Sequence, residues 1–413
     1  MLKQGMEAIG ISGIGVVSPF GIGLDALSRG LAAGRGCVKA ITAFDLSRCR
    51  ARAGAYFEDY ETAQFDDSKT FGRTARSTQF AIISVSEALR RASIDLDSVD
   101  KPRIGLFLSS VRGAFEKTER FYAGLVEKGP RFVNPLLFQE SVNNAPVAHV
   151  SLHYGFTGPS LALTTGGSGT IQAMAMASVR LRQGVLDYAL IVSTEALNRI
   201  GHELYSHAHG HAPVRLEGVH ESCPFDRRRN GFVFGEGAVT LVMERRETAA
   251  RRGVATMAGI AGIGMAHDGW GAAKNDPCGG GIETAMRQCL QAAGRRPGDV
   301  DWILAAANSS PVEDLAETRA IKRVFATAVP PVTSLKSVYG ELEGAAVAMD
   351  VAAATVAMSR NTLLPTLNYQ QPDPQCDLDY VANDARDGEP AAVMLNGCSF
   401  GGGAGSLLLH KCS

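Results

Sequence analysis

Ile9-Gly10-Ile11-Ser12-Gly13-Ile14-Gly15-Val16-Val17-Ser18-Pro19-Phe20-Gly21 near the start of the chain is echoed by Thr256-Met257-Ala258-Gly259-Ile260-Ala261-Gly262-Ile263-Gly264-Met265-Ala266-His267-Asp268-Gly269-Trp270 further along. Each stretch opens a run of alternating short apolar and longer helical segments. The recurrence predicts an internal duplication, with a first half over residues 1–250 and a shorter second half over 251–413. Outward from these stretches, β-rich runs at 8–17, 103–108, 186–192, 238–243 and 302–305 alternate with alanine-rich segments of helical period. Alternation of this kind predicts an α/β protein of parallel sheets covered by helices. Two helices stand out. One covers 170–182, with Met174, Ala177 and Val179 as apolar members; the other covers 344–358 and has almost no polar face. Both are expected between sheets, because a helix apolar all round must be buried. Residues 44–73 and 198–224, polar and rich in turn formers, read as loop-like insertions.

The 413 residues exceed one ordinary hydrophobic core. With 45% hydrophobic and 20% charged residues, the chain is expected to fold as a soluble globular protein. Forty-one basic residues against 42 acidic ones give a net charge of −1, which argues against nucleic acid or an anionic membrane as partner. Eight cysteines, at 37, 49, 223, 278, 289, 376, 398 and 412, include no CxxC pair, so neither a disulfide framework nor a thiolate zinc site is expected. Apolar runs fall short of the ~18 residues that span a bilayer, and residues 1–21 read as a strand and glycine turn, not a signal peptide. A cytoplasmic location with reduced thiols is the expectation.

Despite 46 glycines, no G-x-G-x-x-G sits between a strand and a helix with an acidic residue ~20 positions on, and P-loop, HExxH and G-x-S-x-G patterns are absent. The specific signal is a set of segments in fixed order. They are Gly158-Pro159-Ser160 before Thr164-Thr165-Gly166-Gly167-Ser168-Gly169, then Pro224-Phe225-Asp226-Arg227-Arg228-Arg229-Asn230-Gly231-Phe232-Val233-Phe234-Gly235-Glu236-Gly237-Ala238. Leu335-Lys336-Ser337-Val338-Tyr339-Gly340 and Asn396 with Ser399-Phe400-Gly401-Gly402-Gly403 follow. The long middle block resembles the PFDxxRxGFxxGEGA segment of β-ketoacyl-carrier-protein synthases, the condensing enzymes of fatty-acid and polyketide synthesis. The resemblance covers nearly the whole chain. It implies a thiolase-like fold, two duplicated βαβαβαββ halves in a five-layer αβαβα sandwich, normally dimeric and without a cofactor.

The same resemblance exposes what is missing. Active members carry a nucleophilic Cys at a strand-to-helix elbow, where a lowered thiol pKa and backbone N–H groups serve thioester chemistry; here Gly166 stands at that position. Of the two histidines that hold the malonyl thioester carbonyl, one heads an HGTGTPxxD motif, and counting back from Pro311 and Asp314 places Ala306 there, flanked by Ala305 and Ala307. The other follows Gly340, where this chain has Glu341. An ionised carboxylate cannot donate that hydrogen bond and would repel a malonyl carboxylate. All three catalytic positions are therefore degenerate, while Lys336, Glu317, Phe400, Asp226 and Glu236 are retained.

This combination resembles chain-length factors, the non-catalytic partners of active ketosynthases in type II polyketide and polyene systems, although the better-known members carry Gln where this chain has Gly166. Gly113-Ala114-Phe115-Glu116-Lys117-Thr118-Glu119-Arg120-Phe121-Tyr122 is similar to the GGFEFTxxEF helix that lines the acyl tunnel in that group. Phe115, Thr118 and Tyr122 fall at i, i+3 and i+7, on one helix face, as either tunnel floor or ordinary packing. The resemblance implies a heterodimer with an active ketosynthase and contact with an acyl carrier protein, in a branch such as the aryl-polyene pathways.

Two other readings stay open: an enzyme on the same scaffold carrying out another acyl-thioester transfer with Ser168 or Cys398, and a homodimeric acyl-binding protein. Cys398 resembles the C-terminal acid/base Cys of thiolases, offset by one residue, and a buried structural thiol is the simpler expectation. Ser168 and Thr165 lack a histidine base in the matching motifs. His202, His207, His209 and His211 form a dense cluster, but their spacing puts no set of rings on one helix face and no carboxylate or thiolate lies at a matching interval, so a solvated loop and no metal site is expected.

Overall fold

The computed structural model describes residues 8–58, 71–207, 221–271 and 274–412. Ten strands build the frame. The first five are β1 (Ile9–Ser18), β2 (Ile104–Ser109), β3 (Ser160–Leu163), β4 (Tyr188–Glu195) and β5 (Gly237–Arg245). The other five are β6 (Ala258–His267), β7 (Trp302–Leu304), β8 (Val332–Thr333), β9 (Ala392–Cys398) and β10 (Gly403–His410). Their order is β3-β2-β4-β5-β1 in one half and β8-β7-β9-β10-β6 in the other, and the halves meet where β1 pairs with β6 through Gly10 with Gly259 and Ile11 with Ala258.

In both halves the pairing departs in the same way from the parallel sheets that the alternation predicts. β2 runs parallel to β3 and β4, and β7 runs parallel to β8 and β9, but the two strands that close each half are antiparallel. The reason is visible between β9 and β10, joined only by residues 399–402: a connection that short turns the chain back on itself, whereas a parallel neighbour needs a crossover of a dozen residues or more.

The echo between the two opening stretches is structural. Both strands slip register at one residue, between Ile11 and Gly13 against β5 and between Ile260 and Gly262 against β10. Gly13 and Gly15 lie so close to the helix over the first sheet that a Cβ would collide with the carbonyl oxygens of Ala88 and Ser84; Gly262 and Gly264 stand in the same relation to Cys289 and Ala285. Glycine here sets how closely a helix packs on a strand.

Seven helices matter for the site: α1 (Arg76–Arg91), α2 (Phe115–Lys128), α3 (Gly169–Arg182), α4 (Arg199–His207), α5 (Gly280–Ala293), α6 (Pro311–Phe325) and α7 (Ala346–Arg360). The period-two alternation of the strands sorts them into layers. Ile104, Leu106 and Leu108 of β2 pack outward with Phe80 and Leu89 of α1, and Ile303 of β7 packs outward with Met286 of α5 and Ile321 of α6. Phe107, Trp302 and Leu304 turn inward to the core that contains α3 and α7. The result is the five-layer αβαβα sandwich. Every residue of α7 from Ala346 to Met358 is buried, while in α3 Met174 and Ala177 are buried but Val179 is 42% exposed, so its outer face is not covered as the sequence suggested.

One region read as loop contains a helix. Arg199–His207 forms α4, with Gly201, His202 and Ser206 buried and an Arg199–Glu203 ion pair of 3.0 Å one turn apart on its outer side. No helix among the described residues is long and apolar enough to cross a membrane.

Candidate functional site

β3 runs into the turn Gly166–Ser168 and then α3, which makes a strand-to-helix elbow. Gly166 has φ +65°, in the left-handed region that favours glycine, and a Cβ added there would stand 2.7 Å from Cβ and Oγ of Ser399. The turn between β9 and β10 is thus pressed against the elbow. Ser399 Oγ accepts from Ser168 N–H at 3.1 Å, lies 2.9 Å from Ser168 Oγ and donates to the Thr165 carbonyl. Gln172 Nε2 donates to Ser168 Oγ at 3.2 Å. The Ser168 hydroxyl is therefore held by a serine, an amide and the backbone, not by a base.

Elbow and turn wall a cavity of about 300 Å³ that also takes in Glu313, Glu341, Glu343, Tyr205 and Phe400. Glu341 is 7% exposed; its carboxylate accepts from Glu343 N–H at 2.7 Å and Asn308 Nδ2 at 3.3 Å, and burial raises its pKa. Glu313 is pushed up to about 7 by burial and by the neighbouring charges of Asp314 and Glu341. Ala306 borders a smaller adjoining space of about 50 Å³ that shares Asn308, Glu313 and Cys398 with the first. His267 brings an imidazole to the cavity, but at the exposed end of β6, with Nδ1 accepting from Gly269 N–H at 3.0 Å. Burial holds the Cys398 thiol well above its usual range, the reverse of what a nucleophile needs.

Behind the cavity, charged groups hold backbone. Glu317 accepts from the N–H groups of Ala306 (3.0 Å) and Ala307 (2.7 Å) and from Asn396 Nδ2 (2.9 Å). Lys336 pairs with Asp350 of α7, both almost fully buried, and donates to the Ala305 carbonyl at 3.1 Å; Tyr339 donates to the same Asp350. Asp226 accepts from Gln370 and Gln371 N–H, and Glu236 from Phe57 and Leu197 N–H and from Arg76. Arg112, 1% exposed, stands 2.9 Å from Glu343 and 3.3 Å from Glu195, with its guanidinium over the Phe234 ring. Phe400, 44% exposed, lies beside Phe232 and Tyr205 at the cavity mouth.

Sequence reasoning missed Asn308, Glu313, Glu343, Tyr205 and the Arg112–Glu195 pair. Glu313 and Glu343 had a signal: Glu313 lies between Pro311 and Asp314 of the first histidine motif, and Glu343 stands two residues beyond Glu341. His202 is buried with Nε2 on the Ala51 carbonyl at 2.9 Å, and His207 is exposed; His209 and His211 lie outside the described residues. Among the described residues no group of three His, Cys, Asp or Glu could hold a metal ion.

The other candidate region is on the surface. Phe115, Thr118 and Tyr122 line one groove of about 440 Å³ between α2 and α4. None of the residues of α2 is buried.

With the elbow, the cavity and the groove described, comparison with known proteins identifies the lineage. Residues 6–249 match the β-ketoacyl synthase N-terminal domain and residues 257–370 its C-terminal domain. The chain belongs to the β-ketoacyl synthase family. It is 33% identical over 404 residues to 3-oxoacyl-[acyl-carrier-protein] synthase 2 of Coxiella burnetii, covering 97% of this chain and 98% of that one. Among solved structures, the ishigamide ketosynthase/chain length factor aligns with a TM-score of 0.91 at 25% identity, over 98% of this chain and 99% of that one. A β-ketoacyl synthase from Burkholderia phymatum aligns with a TM-score of 0.91 at 27% identity, over 99% and 100%. The two domains of the family together span most of the chain.

Proposed function

We propose that this chain is a non-catalytic ketosynthase-like subunit, a chain-length factor that pairs with an active ketosynthase and shapes the acyl tunnel of a type II polyketide or aryl-polyene-type pathway. The observation that carries this reading is the joint state of the elbow cavity and the space adjoining it: no side chain at Gly166 and a carboxylate at Glu341 in the first, and a methyl group at Ala306 in the second. Loss of one group suits altered chemistry. Loss of all three, with Glu317, Lys336 and Asp350 still holding the surrounding backbone, suits a framework kept for its shape.

Partner surface is available. β3 is the outermost strand of its sheet, and Leu161 on it and Met176 and Val179 on α3 are each about two-fifths exposed. An open edge flanked by apolar side chains is what a second chain covers. The likeness to the ishigamide ketosynthase/chain length factor supports a ketosynthase as that chain, and the likeness to 3-oxoacyl-[acyl-carrier-protein] synthase 2 supports an acyl carrier protein as the carrier of the growing acyl group.

The test is an intact-protein mass after incubation with acyl carrier protein loaded with an acyl group, together with co-purification alongside a ketosynthase encoded nearby. The expected result is an unmodified mass and a one-to-one complex. A covalent acyl adduct on Ser168 or Cys398 would replace this reading with that of a transferase, and a stable homodimer indifferent to the ketosynthase would replace it with that of an acyl-binding protein.

A further inference from the structure

The carboxylates Glu313, Glu341 and Glu343 line the elbow cavity, and none of the described residues that line it is a lysine or an arginine. The buried cations nearest to it stand behind its wall and are already engaged. Lys336 is paired with Asp350, and Arg112 is divided between Glu195 and Glu343. Glu341 and Glu313 have amides instead: Asn308 Nδ2 donates to Glu341 at 3.3 Å, and Asn275 Nδ2 to Glu313 at 3.0 Å. A cleft of one charge sign with low-dielectric walls concentrates ions of the opposite sign.

One acceptor in this wall is unfilled. Glu343 is 4% exposed, and its Oε2, although 2.9 Å from Arg112 Nε, accepts no hydrogen bond. A buried carboxylate oxygen without a donor is costly, so a donor brought in through the cavity gains there what water can no longer supply. Burial raises both Glu313 and Glu341, which accords with carboxylates crowded together without a cation.

The surroundings narrow the class of cation. Among the described residues no group of three His, Cys, Asp or Glu could hold a metal ion, so a compact divalent ion is a poor match. The mouth is aromatic, with the Phe400 ring 5.9 Å from Phe232 and 6.2 Å from Tyr205. Aromatic rings suit a cation that carries carbon, and an ammonium group brings three N–H donors to separate acceptors.

We infer that the elbow cavity binds a small organic cation, a primary alkylammonium whose N–H groups face Glu341, Glu343 and Glu313 and whose stem points to the aromatic mouth. This ligand is independent of whether the chain pairs with a ketosynthase.

The test is calorimetric titration of the full chain with butylamine hydrochloride and, in parallel, with n-butanol, a probe of similar length without the charge. Butylamine should bind at least tenfold more tightly than n-butanol. Its affinity should fall at least tenfold in the neutral isosteres Glu341→Gln and Glu343→Gln, each checked for its fold by a melting curve, and stay unchanged in Glu247→Gln at an exposed surface carboxylate. The contrast between the two probes is read on the unsubstituted protein and so holds even where a variant fails to fold. Equal affinity for the two probes, no butylamine binding, binding unchanged in both cavity variants, or an equal loss in Glu247→Gln overturns the inference.

Discussion

The elbow cavity and the α2–α4 groove share their bordering segments yet have opposite chemistry. Around the cavity, carboxylates outnumber cations: Glu195, Glu313, Glu317, Glu341 and Glu343 crowd a region whose buried positive charges are Arg112 and Lys336. In the groove, the charged pairs are neutralised along the rim and the walls are hydrocarbon. The cavity is deep and tied to the core; the groove lies on a helix with no buried residue. Around the cavity the fold depends on the surrounding polar groups; along the groove it depends on almost nothing. On the reading proposed above, stability should respond to substitutions at the cavity and product to substitutions at the groove.

The largest effect is expected from Lys336→Met. It strands Asp350, 0% exposed, without its cation, and removal of one partner from a buried pair costs about 3–5 kcal/mol. Urea titration followed by circular dichroism should show the midpoint fall sharply. An unchanged midpoint would mean that the charges around the cavity no longer support the fold.

Gly166→Cys comes next. Restoring the thiol places a Cβ at φ +65° and 2.7 Å from the Ser399 side chain, so about 1–3 kcal/mol of stability should be lost to backbone strain and crowding. Condensation should stay undetectable, because Ala306 and Glu341 supply no donor for the thioester carbonyl, and loss of one such donor alone typically costs ~10²–10³ in rate. Turnover of malonyl carrier protein by this single variant would show that the cavity is catalytic in all but its nucleophile.

A smaller effect depends on pH. Glu313 is raised from 4.5 to about 7, so its contribution to stability is complete below about 4.5 and is lost as pH rises through about 7. The neutral isostere Glu313→Gln removes this term. Between pH 5 and 8 its stability should therefore fall by less than that of the parent chain, by on the order of 1–2 kcal/mol after solvent screening. Parallel melting curves for the two proteins would show that the carboxylates of the cavity are ionised without cost.

The duplicated frame was legible because its signal is local. Gly13 with Gly15 and Gly262 with Gly264 appear as identical spacings, and each pair marks a helix resting on a strand. The antiparallel strands were not, since alternation with helices says nothing about the short turn at 399–402 that reverses the chain. The Gly166, Ala306 and Glu341 positions could be counted from motifs, but the acid cluster could not: Glu195, Glu313 and Glu343 come from three distant segments and meet only in the folded chain. α4 was hidden because its histidines, buried His202 and exposed His207, fall on opposite sides of a helix and look aperiodic when read as possible ligands. Its Arg199–Glu203 and Ile200–Leu204 pairs carried the helical period instead.

The smallest effect on stability should accompany the largest effect on product. Tyr122 is 57% exposed and sits on a helix without a buried residue, so Tyr122→Ala should change stability by no more than about 0.5 kcal/mol, unlike truncation of a core aromatic at about 3–5 kcal/mol. If the face carrying Phe115, Thr118 and Tyr122 forms the tunnel floor in the ketosynthase pair, Tyr122→Ala and Phe115→Ala leave room for additional carbons and shift products to longer chains. Thr118→Trp fills the groove from the middle of that face and shortens them. Each variant is first shown to retain its heterodimer by size-exclusion chromatography, and products of the reconstituted pair are then sized by mass spectrometry. Three intact heterodimers with one unchanged product distribution would reduce α2 to a contact surface, and the contrast between a cavity that keeps the fold and a groove that measures the chain would lose its second half.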